Sequence, residues 1–141
     1  MSLSISVPLN PEACFALRHQ VFVSEQGVPQ EEELDDLDAV ATHLLASDDA
    51  TALGTARIVY QGETAKIGRV CVVKSARGTG LGAELINAAV QIAQRQPGVI
   101  KAKLGAQLHA LGFYEKLGFK VYGPVYLDAG IEHRDMVLDF Q

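Results

Sequence analysis

A glycine-rich turn between a hydrophobic strand and an amphipathic helix constrains the fold of this chain more than any other segment. The turn, KSARGTGLG, follows the strand-like run 65–73 and holds three glycines within five residues. The helix after it carries an apolar stripe at helical spacing, formed by Leu81, Leu85, Ile86, Ala89, Ile92 and Ala93. Helix N-termini present unpaired N–H groups, and glycine lets a ligand approach the backbone closely. The segment therefore predicts a phosphate site, with Lys74 and Arg77 adding positive charge beside it.

The other segments predict a mixed sheet with helices on its faces. Period-2 alternation favours strands at 3–7, 42–47, 52–60, 65–73, 99–104, 119–127 and 133–140. Helical spacing favours helices from Pro11 to near Gln26, from 81 to before Pro97, and over 106–117. Short turns join the three strands of 42–73, which is typical of an antiparallel meander. The order β-α-β-β-β-α-β-α-β-β predicts an α/β (mixed-sheet α+β) fold in one domain of 141 residues.

Composition excludes several classes of protein. The chain is 48% apolar and 21% charged, which is enough for a core without a metal or disulfide. No apolar run approaches the roughly 20 residues that cross a bilayer, and MSLSISVPLNPEACF lacks the features of a secretory signal. We therefore expect a cytoplasmic protein with no membrane partner, in which Cys14 and Cys71 are reduced thiols. A net charge of −5 argues against nucleic acid as a partner.

Charge is unevenly distributed along the chain. Residues 1–64 carry a net charge of −9 and residues 65–141 a net charge of +4, and much of the acid lies in 31–38, EEELDDLD. Either the first half attracts a cationic molecule while the second attracts an anionic one, or residues 31–38 are a solvated loop. The two cysteines and four histidines match no metal-ligand spacing, so we expect no metal.

Three interpretations of the glycine-rich turn remain after a P-loop is excluded, since no Gly-Lys-Ser/Thr occurs in the chain. A dinucleotide fingerprint is formally matched by Gly78, Gly80 and Ala83, but it should open the first βαβ unit and be followed by an acid some 20 residues later. Here it follows three strands, and residues 101–103 are Lys-Ala-Lys. A turn without a ligand would leave the conformational cost of three glycines uncompensated. The third interpretation, a coenzyme A site, depends on a resemblance.

Three segments carry that resemblance. Residues 77–82, RGTGLG, resemble the R/Q-x-x-G-x-G/A signature of the GNAT N-acetyltransferases, which bind the pyrophosphate of acetyl-CoA. Residues 110–119, ALGFYEKLGF, resemble the family's A-x-x-F-Y-E-K-L-G-F segment at a spacing that fits. Residues 18–29, RHQVFVSEQGVP, are similar to the N-terminus of a bacterial subgroup typified by the ElaA and YjcF proteins. The chain is thereby identified as a member of this family over nearly its whole length, which implies the GNAT acyl-CoA N-acyltransferase fold.

The resemblance implies a set of residues that bind acetyl-CoA. The N–H groups of the loop would hold the pyrophosphate, and the strand before it would pair its backbone with the pantetheine arm. Arg77 and Lys74 would face phosphates, with Lys116 a weaker candidate. Gln107 stands where the family often has asparagine, so its contact to the pantetheine is one methylene longer. The full set is Cys71, Val72, Val73, Arg77, Gly78, Thr79, Gly80, Leu81, Gly82, Ala83, Gln107 and Lys116.

The same resemblance implies direct attack of an amine on the thioester, with Tyr114 as general acid for the departing thiolate. Helical spacing by itself would make Tyr114 a core aromatic. Four side chains are candidates for the general base: His43, Glu132, His133 and Glu25. The alternatives are a hydrogen-bonded strand histidine, two solvated turn residues and a structural glutamate, and a water chain could replace any single base. Cys71 would be a nucleophile only with a lowered pKa, and otherwise it is a buried apolar residue.

These observations predict an N-acetyltransferase that moves the acetyl group of acetyl-CoA to a primary amine of a small molecule. The acidic first half favours a cationic acceptor. The alternative is a non-catalytic acyl-CoA-binding module of the same fold, which would need no general acid. A nucleotide-binding regulator is a third hypothesis. Dimers are common in the family, so a homodimer is compatible with the resemblance.

Overall fold

Seven strands form one mixed sheet, flanked by helices, in the computed structural model, which describes residues 3–140. The strands are β1 (Leu3–Ser6), β2 (Thr42–Asp48), β3 (Thr51–Gln61), β4 (Thr64–Val72), β5 (Lys101–Gln107), β6 (Lys120–Asp128) and β7 (Ile131–Asp139). The α-helices are α1 (Glu12–Arg18), α2 (Gln30–Glu33), α3 (Leu81–Arg95) and α4 (Leu111–Lys116). A π-helix spans His19–Glu25, and 3₁₀ turns span Asp36–Ala39, Lys74–Ala76 and Leu108–Ala110. The predicted mixed α+β fold and its element order are confirmed, apart from the short α2 and these turns.

The sheet splits between two of its central strands. Its order is β1-β2-β3-β4-β5-β7-β6, and every neighbouring pair is antiparallel except β4 and β5. These two pair in parallel over residues 64–66 and 101–103. Beyond that point β4 runs on to Val72 and β5 to Gln107, with no ladder between them in the described chain. The sheet therefore opens into a V-shaped gap whose walls carry backbone groups that are free to pair.

A β-bulge in β4 lies just beyond its last residue paired with β5. The step from Gly68 to Cys71 takes three residues, whereas the facing step on β3, from Arg57 to Thr55, takes two. Arg69 in the bulge has a φ of 50°, in the left-handed region that residues with a Cβ rarely adopt. Bulges of this kind bend a strand and increase its twist, so this one turns β4 away from β5.

The core holds α3 against the sheet. Leu85, Ile86, Ala89 and Ala93 are fully buried on that helix, which packs over β3 and β4. The predicted apolar stripe therefore faces the core, with Ile92 at its edge. This packing fixes the N-terminus of α3 next to the end of β4. At 15 residues α3 is the longest helix of residues 3–140, and none of the helices there is long and apolar enough to span a membrane.

The first predicted helix is correct in extent and wrong in type. It is α-helical only to Arg18 and continues as a π-helix, in which the Gln26 N–H reaches back five residues to the Val21 carbonyl at 3.1 Å. Gly27, with a φ of 74°, follows its end as expected. The change of helix type falls at Arg18, whose side chain is fully buried. A pattern of apolar residues contains no signal for a buried arginine.

Strand β5 extends further toward the site than predicted. It covers residues 101–107 instead of 99–104, because Gly105 and Gln107 pair with Asp135 and His133 of β7. The helix predicted over 106–117 begins correspondingly later, as a 3₁₀ turn from Leu108 and as α4 proper from Leu111. The longer strand gives the gap a second wall.

Candidate functional site

The glycine-rich turn presents unpaired N–H groups at the start of α3. Gly78 and Gly80 have φ angles of 81° and 87°, which only glycine adopts readily. The first N–H of the helix with a helical partner is that of Glu84, which donates to the Gly80 carbonyl at 3.1 Å. Within residues 3–140 the N–H groups of residues 78–83 make no backbone hydrogen bond of good geometry. Such donors at the positive end of a helix dipole suit a phosphate group.

Replacing Gly80 by alanine should therefore lower stability, whereas replacing Gly82 should not. Gly80→Ala places a Cβ at a φ of 87°, at a cost of about 1–2 kcal/mol. Gly82 lies inside α3, and its added Cβ would meet only Phe113, at an ordinary contact distance of 3.6 Å. Urea unfolding measures both variants. Equal destabilisation by the two would show that packing, not backbone conformation, selects glycine in this turn.

Two residues predicted for different roles, Arg77 and Glu25, contact each other. Nη2 of Arg77 donates to both carboxylate oxygens of Glu25, at 3.1 and 2.9 Å, and its Nε donates to the Val72 carbonyl at 3.0 Å. This joins the π-helix to the glycine-rich turn and places Glu25 at the phosphate end of the gap. The other predicted cations, Lys74 and Lys116, are exposed on the turn before α3 and at the end of α4.

The last residues of β4 direct their backbone groups to opposite sides. The Val73 N–H donates to the Leu53 carbonyl of β3 at 2.9 Å. Because pairing alternates along an antiparallel ladder, Cys71 also directs its backbone groups to β3. Val72 between them presents its N–H and C=O to the gap, where the carbonyl accepts from Arg77. Of the three strand residues predicted to pair with pantetheine, Val72 is the one with an open backbone N–H, while its carbonyl is taken by Arg77.

The Cys71 side chain points into the core. It is 5% exposed, and burial raises the pKa of its thiol to about 12. Such a thiol stays protonated at neutral pH, which argues against a covalent route through it. Cys14 is also buried, and burial raises the pKa of its thiol. Both cysteines are free thiols.

A cavity of about 540 Å³ fills the gap between β4 and β5. Residues 66–70 of β4 form one wall, and residues 104–107 of β5, with side chains of β6 and β7, form the other. Glu32 and Glu33 close a third side, and Tyr114 lines the cavity from α4. This volume is in the range of small-molecule sites, and the open backbone of β4 leads into it.

Tyr114 occupies this cavity with its phenol protonated. Its ring packs edge-on against Phe113 and Phe119, with centroids 5.0 and 6.1 Å apart. Burial raises the pKa of the phenol, so the hydroxyl keeps its proton well above neutral pH. A protonated phenol in a cavity can give its proton to an anion that forms beside it, as the predicted general acid must.

His133 lines the same cavity from β7, and its hydrogen bond fixes its tautomer. Nδ1 lies 2.7 Å from the carbonyl oxygen of Ile131. Because a carbonyl can only accept, Nδ1 carries the proton in the neutral ring and Nε2 keeps a lone pair. The ring stacks on Tyr126, with centroids 5.8 Å apart. An imidazole held in this way can take a proton at Nε2.

Tyr126 of β6 and Asp135 of β7, which are not among the site residues predicted from sequence, complete the cavity wall beside His133. The Tyr126 hydroxyl donates to Oδ1 of Asp135 at 2.9 Å, and burial together with that carboxylate raises the pKa of the phenol. The hydroxyl lies over Gly105, where an added Cβ would collide with it. The alternation of β7 is the signal that could have found Asp135, since residues 131, 133 and 135 share one face.

The other base candidates lie away from the cavity wall. Glu132 is exposed, because successive residues of β7 face opposite sides of the sheet. His43 is 6% exposed, and its Nε2 lies 3.0 Å from the Asp38 carbonyl oxygen. This arrangement matches the alternative interpretation of His43, a hydrogen-bonded strand histidine. Gln107 does line the cavity, and its Oε1 lies 2.7 Å from Nε2 of His109.

Residues 31–38 are largely exposed, but they are not a free loop. Three of their six carboxylates form ion pairs with three arginines: the buried Glu33 with Arg18 and Arg69, the exposed Asp35 with Arg57 and Arg69, and the partly buried Asp38 with Arg18 and Arg57. Burial tends to raise the pKa of Asp38, but hydrogen bonds from Arg18 and Arg57 outweigh it and hold that pKa at about 2. The segment is thereby clamped onto β3 and β4 as a wall of the cavity. Within residues 3–140 no group of three or more His, Cys, Asp or Glu side chains could hold a metal ion.

Comparison with known proteins points to one family. The family model described as an acetyltransferase (GNAT) domain matches residues 9–140. YjcF of Bacillus subtilis (strain 168), described as an uncharacterised N-acetyltransferase, is 38% identical over 126 residues, which cover 89% of each chain.

Solved structures share the whole architecture. An acyl-CoA N-acyltransferase from Pseudomonas aeruginosa matches with a TM-score of 0.87 and 34% identity, over 97% of this chain and 99% of that one. Escherichia coli ElaA matches with a TM-score of 0.83 and 28% identity, over 97% and 98%. These likenesses confirm the expected fold and the resemblance to the ElaA and YjcF subgroup.

Proposed function

Because the chain belongs to the GNAT acetyltransferase family, we propose that it transfers the acetyl group of acetyl-CoA to a primary amine of a small molecule by direct attack. The gap between β4 and β5 carries this proposal. It leads from the unpaired N–H groups of residues 78–83 to a cavity that holds Tyr114 and His133. A long, thin donor can therefore lie along β4 with its reactive end between an acid and a base.

The chain's own groups bind and orient the donor in this proposal. The N–H groups of residues 78–83 donate to the pyrophosphate, where the helix dipole adds to the attraction. Val72 offers its backbone N–H to an amide carbonyl of the pantetheine arm, while its C=O holds Arg77 beside that arm. Arg77 and Lys74 supply positive charge beside them, and Gln107 reaches the arm from β5.

Two proton transfers accompany the reaction. The amine nitrogen forms a bond with the thioester carbonyl carbon, and the carbon–sulfur bond breaks. Nε2 of His133 takes the proton that the attacking amine loses, and Tyr114 gives its proton to the departing sulfur. Free CoA thiol and the acetylated amine result. No covalent enzyme intermediate is needed, in keeping with the raised pKa of Cys71.

Calorimetry and a thiol assay test this function together. Calorimetric titration should show saturable binding of CoA and acetyl-CoA, and release of free thiol from acetyl-CoA should depend on an added primary amine. Binding without thiol release on any amine of a broad panel would favour the non-catalytic module. Absence of binding at millimolar CoA would overturn the proposal.

His133→Gln should lower kcat/KM about 10²-fold, because the attacking amine loses its proton acceptor. The neighbouring variant Glu132→Gln separates this role from a general loss of charge near β7, since Glu132 faces the other side of the strand. We expect Glu132→Gln to change the rate by less than about twofold. The rate of thiol release at neutral pH measures both variants. A larger loss of rate in Glu132→Gln than in His133→Gln would show that the base lies on the opposite face of β7 from His133.

A further inference from the structure

Two lysines lie side by side where the gap closes, and the residues described by the structure supply no counter-ion to either. Lys66 of β4 and Lys103 of β5 are partners in the parallel ladder, and both line a second cavity of about 190 Å³. In the described part of the chain neither ammonium forms an ion pair with a carboxylate. Nζ of Lys103 lies 5.3 Å from the centroid of the Tyr122 ring. Like charges on neighbouring strands destabilise a sheet, and departures of this kind are typical of functional sites.

The second cavity adjoins the main one. The two share Lys66, Leu104 and Asp135 in their walls. On the paired strands Asp135 lies opposite Gly105, and His133 lies opposite Gln107. Along β5, Lys103 therefore lies two residues from the position opposite Asp135 and four residues from the position opposite His133. At about 3.3 Å per residue, these distances along the strand are roughly 7 and 13 Å.

Only some charged groups in the two adjoining cavities are open to a ligand. Arg57 and Arg69 line the main cavity, but carboxylates of residues 33–38 already hold both. Within residues 3–140 Lys66 and Lys103 have no such partners. Asp135 lies between the lysines and the level of His133, and it keeps Oδ2 for a ligand because the Tyr126 hydroxyl takes only Oδ1. A ligand that extends from His133 past Asp135 therefore meets a negative charge first and the two lysines beyond it.

Resting on the proposed function, we propose that the acceptor is an amine that also carries an anionic group, a carboxylate or a phosphate. The anion binds Lys66 and Lys103, and the amine lies between Asp135 and His133, roughly 7 to 13 Å away. Asp135 holds the ammonium form, which loses one proton to solvent, and His133 takes the second proton as the neutral amine attacks. This acceptor differs from the cationic one predicted from the acidic first half, because Glu33, Asp35 and Asp38 of that half are paired with arginines.

Matched pairs of amines that differ only in the anion test this inference. The pairs are 6-aminohexanoate with its primary amide, 8-aminooctanoate with its primary amide, and 6-aminohexyl phosphate with 6-aminohexanol. Calorimetry on the CoA-loaded protein at low salt should show that at least one anionic member binds about tenfold more tightly than its neutral partner. The advantage should shrink as salt is added. Comparing the carboxylate and phosphate pairs tells which anion the site takes.

Lysine variants then test whether Lys66 and Lys103 cause the tighter binding of the anionic amines. Lys66→Gln with Lys103→Gln should abolish the advantage of the anionic member and leave the affinity for CoA and for the neutral member unchanged. Lys101→Gln is the control, because Lys101 lies on the same strand and already pairs with Glu63 at 3.9 Å. It should keep the preference.

Three results would overturn this inference: equal affinity within every pair, no binding of any member, or an advantage that survives in the double variant. The affinity for CoA is measured separately in each case. Loss of CoA binding by the unmodified protein would instead overturn the proposed function, so the two failures are distinguishable.

Discussion

Replacing Tyr114 by phenylalanine should lower turnover roughly 10²- to 10⁴-fold while the affinity for acetyl-CoA stays unchanged. The variant loses one hydroxyl and keeps the ring contacts to Phe113 and Phe119, so α4 should remain in place. The thiolate must then leave without a proton donor, at a stage when its negative charge is fully developed. Steady-state release of free thiol gives kcat, and calorimetric titration gives the affinity.

Tyr126→Phe is the matched control for this experiment. Tyr126 is a second tyrosine of the same cavity with a raised pKa, but its hydroxyl already donates to Asp135. Removing that hydroxyl frees the Asp135 carboxylate, which the proposal places beside the amine. The change should therefore appear in the KM for the amine more than in kcat. Unchanged turnover in Tyr114→Phe, or an equal loss of kcat in both variants, would remove Tyr114 from the role of general acid.

The glycine-rich turn and α3 could be predicted from sequence because their physical requirements are local. Gly78 and Gly80 stand where the backbone adopts positive φ, and the stripe from Leu85 to Ala93 stands where α3 meets the core. Each of these signals involves residues within a few positions of one another. The strand before the turn and the helix after it follow from the same short-range periodicity.

The acceptor end could not be predicted in the same way, because it depends on contacts between distant residues. Arg69 reaches the Glu33 carbonyl across 36 positions of sequence, and its left-handed backbone leaves no mark in the amino-acid pattern. In the sequence, residues 31–38 are an excess of acid, and only the fold shows which of their carboxylates pair with arginines. The register of β5 against β7 likewise decides that His133 and Asp135, but not Glu132, line the cavity.

Arg18→Met should lower the free energy of unfolding by about 3–5 kcal/mol, because it leaves buried carboxylates without their main partner. Nε of Arg18 donates to Glu33 at 2.9 Å, Nη1 to Asp38 at 2.7 Å, and Nη2 to the Glu33 carbonyl at 2.9 Å. Glu33 is 3% exposed, so water cannot replace these bonds. Methionine has a similar length and fills most of the same space, which keeps packing losses small. Urea unfolding monitored by circular dichroism measures the change.

Arg77→Met tests whether burial, and not ion pairing alone, causes the loss of stability expected in Arg18→Met. Arg77 also binds a carboxylate with two close contacts, at Glu25, but its side chain is 42% exposed and that of Glu25 is 32% exposed. Exposed pairs contribute about 0–1 kcal/mol, so this variant should unfold close to the unmodified protein. The wall formed by residues 31–38 depends on Arg18 rather than on Arg77, and the acceptor cavity should therefore lose its shape only in Arg18→Met. Equal stability of the two variants would mean that the buried charges are already solvated, and that the wall is held by its apolar contacts instead.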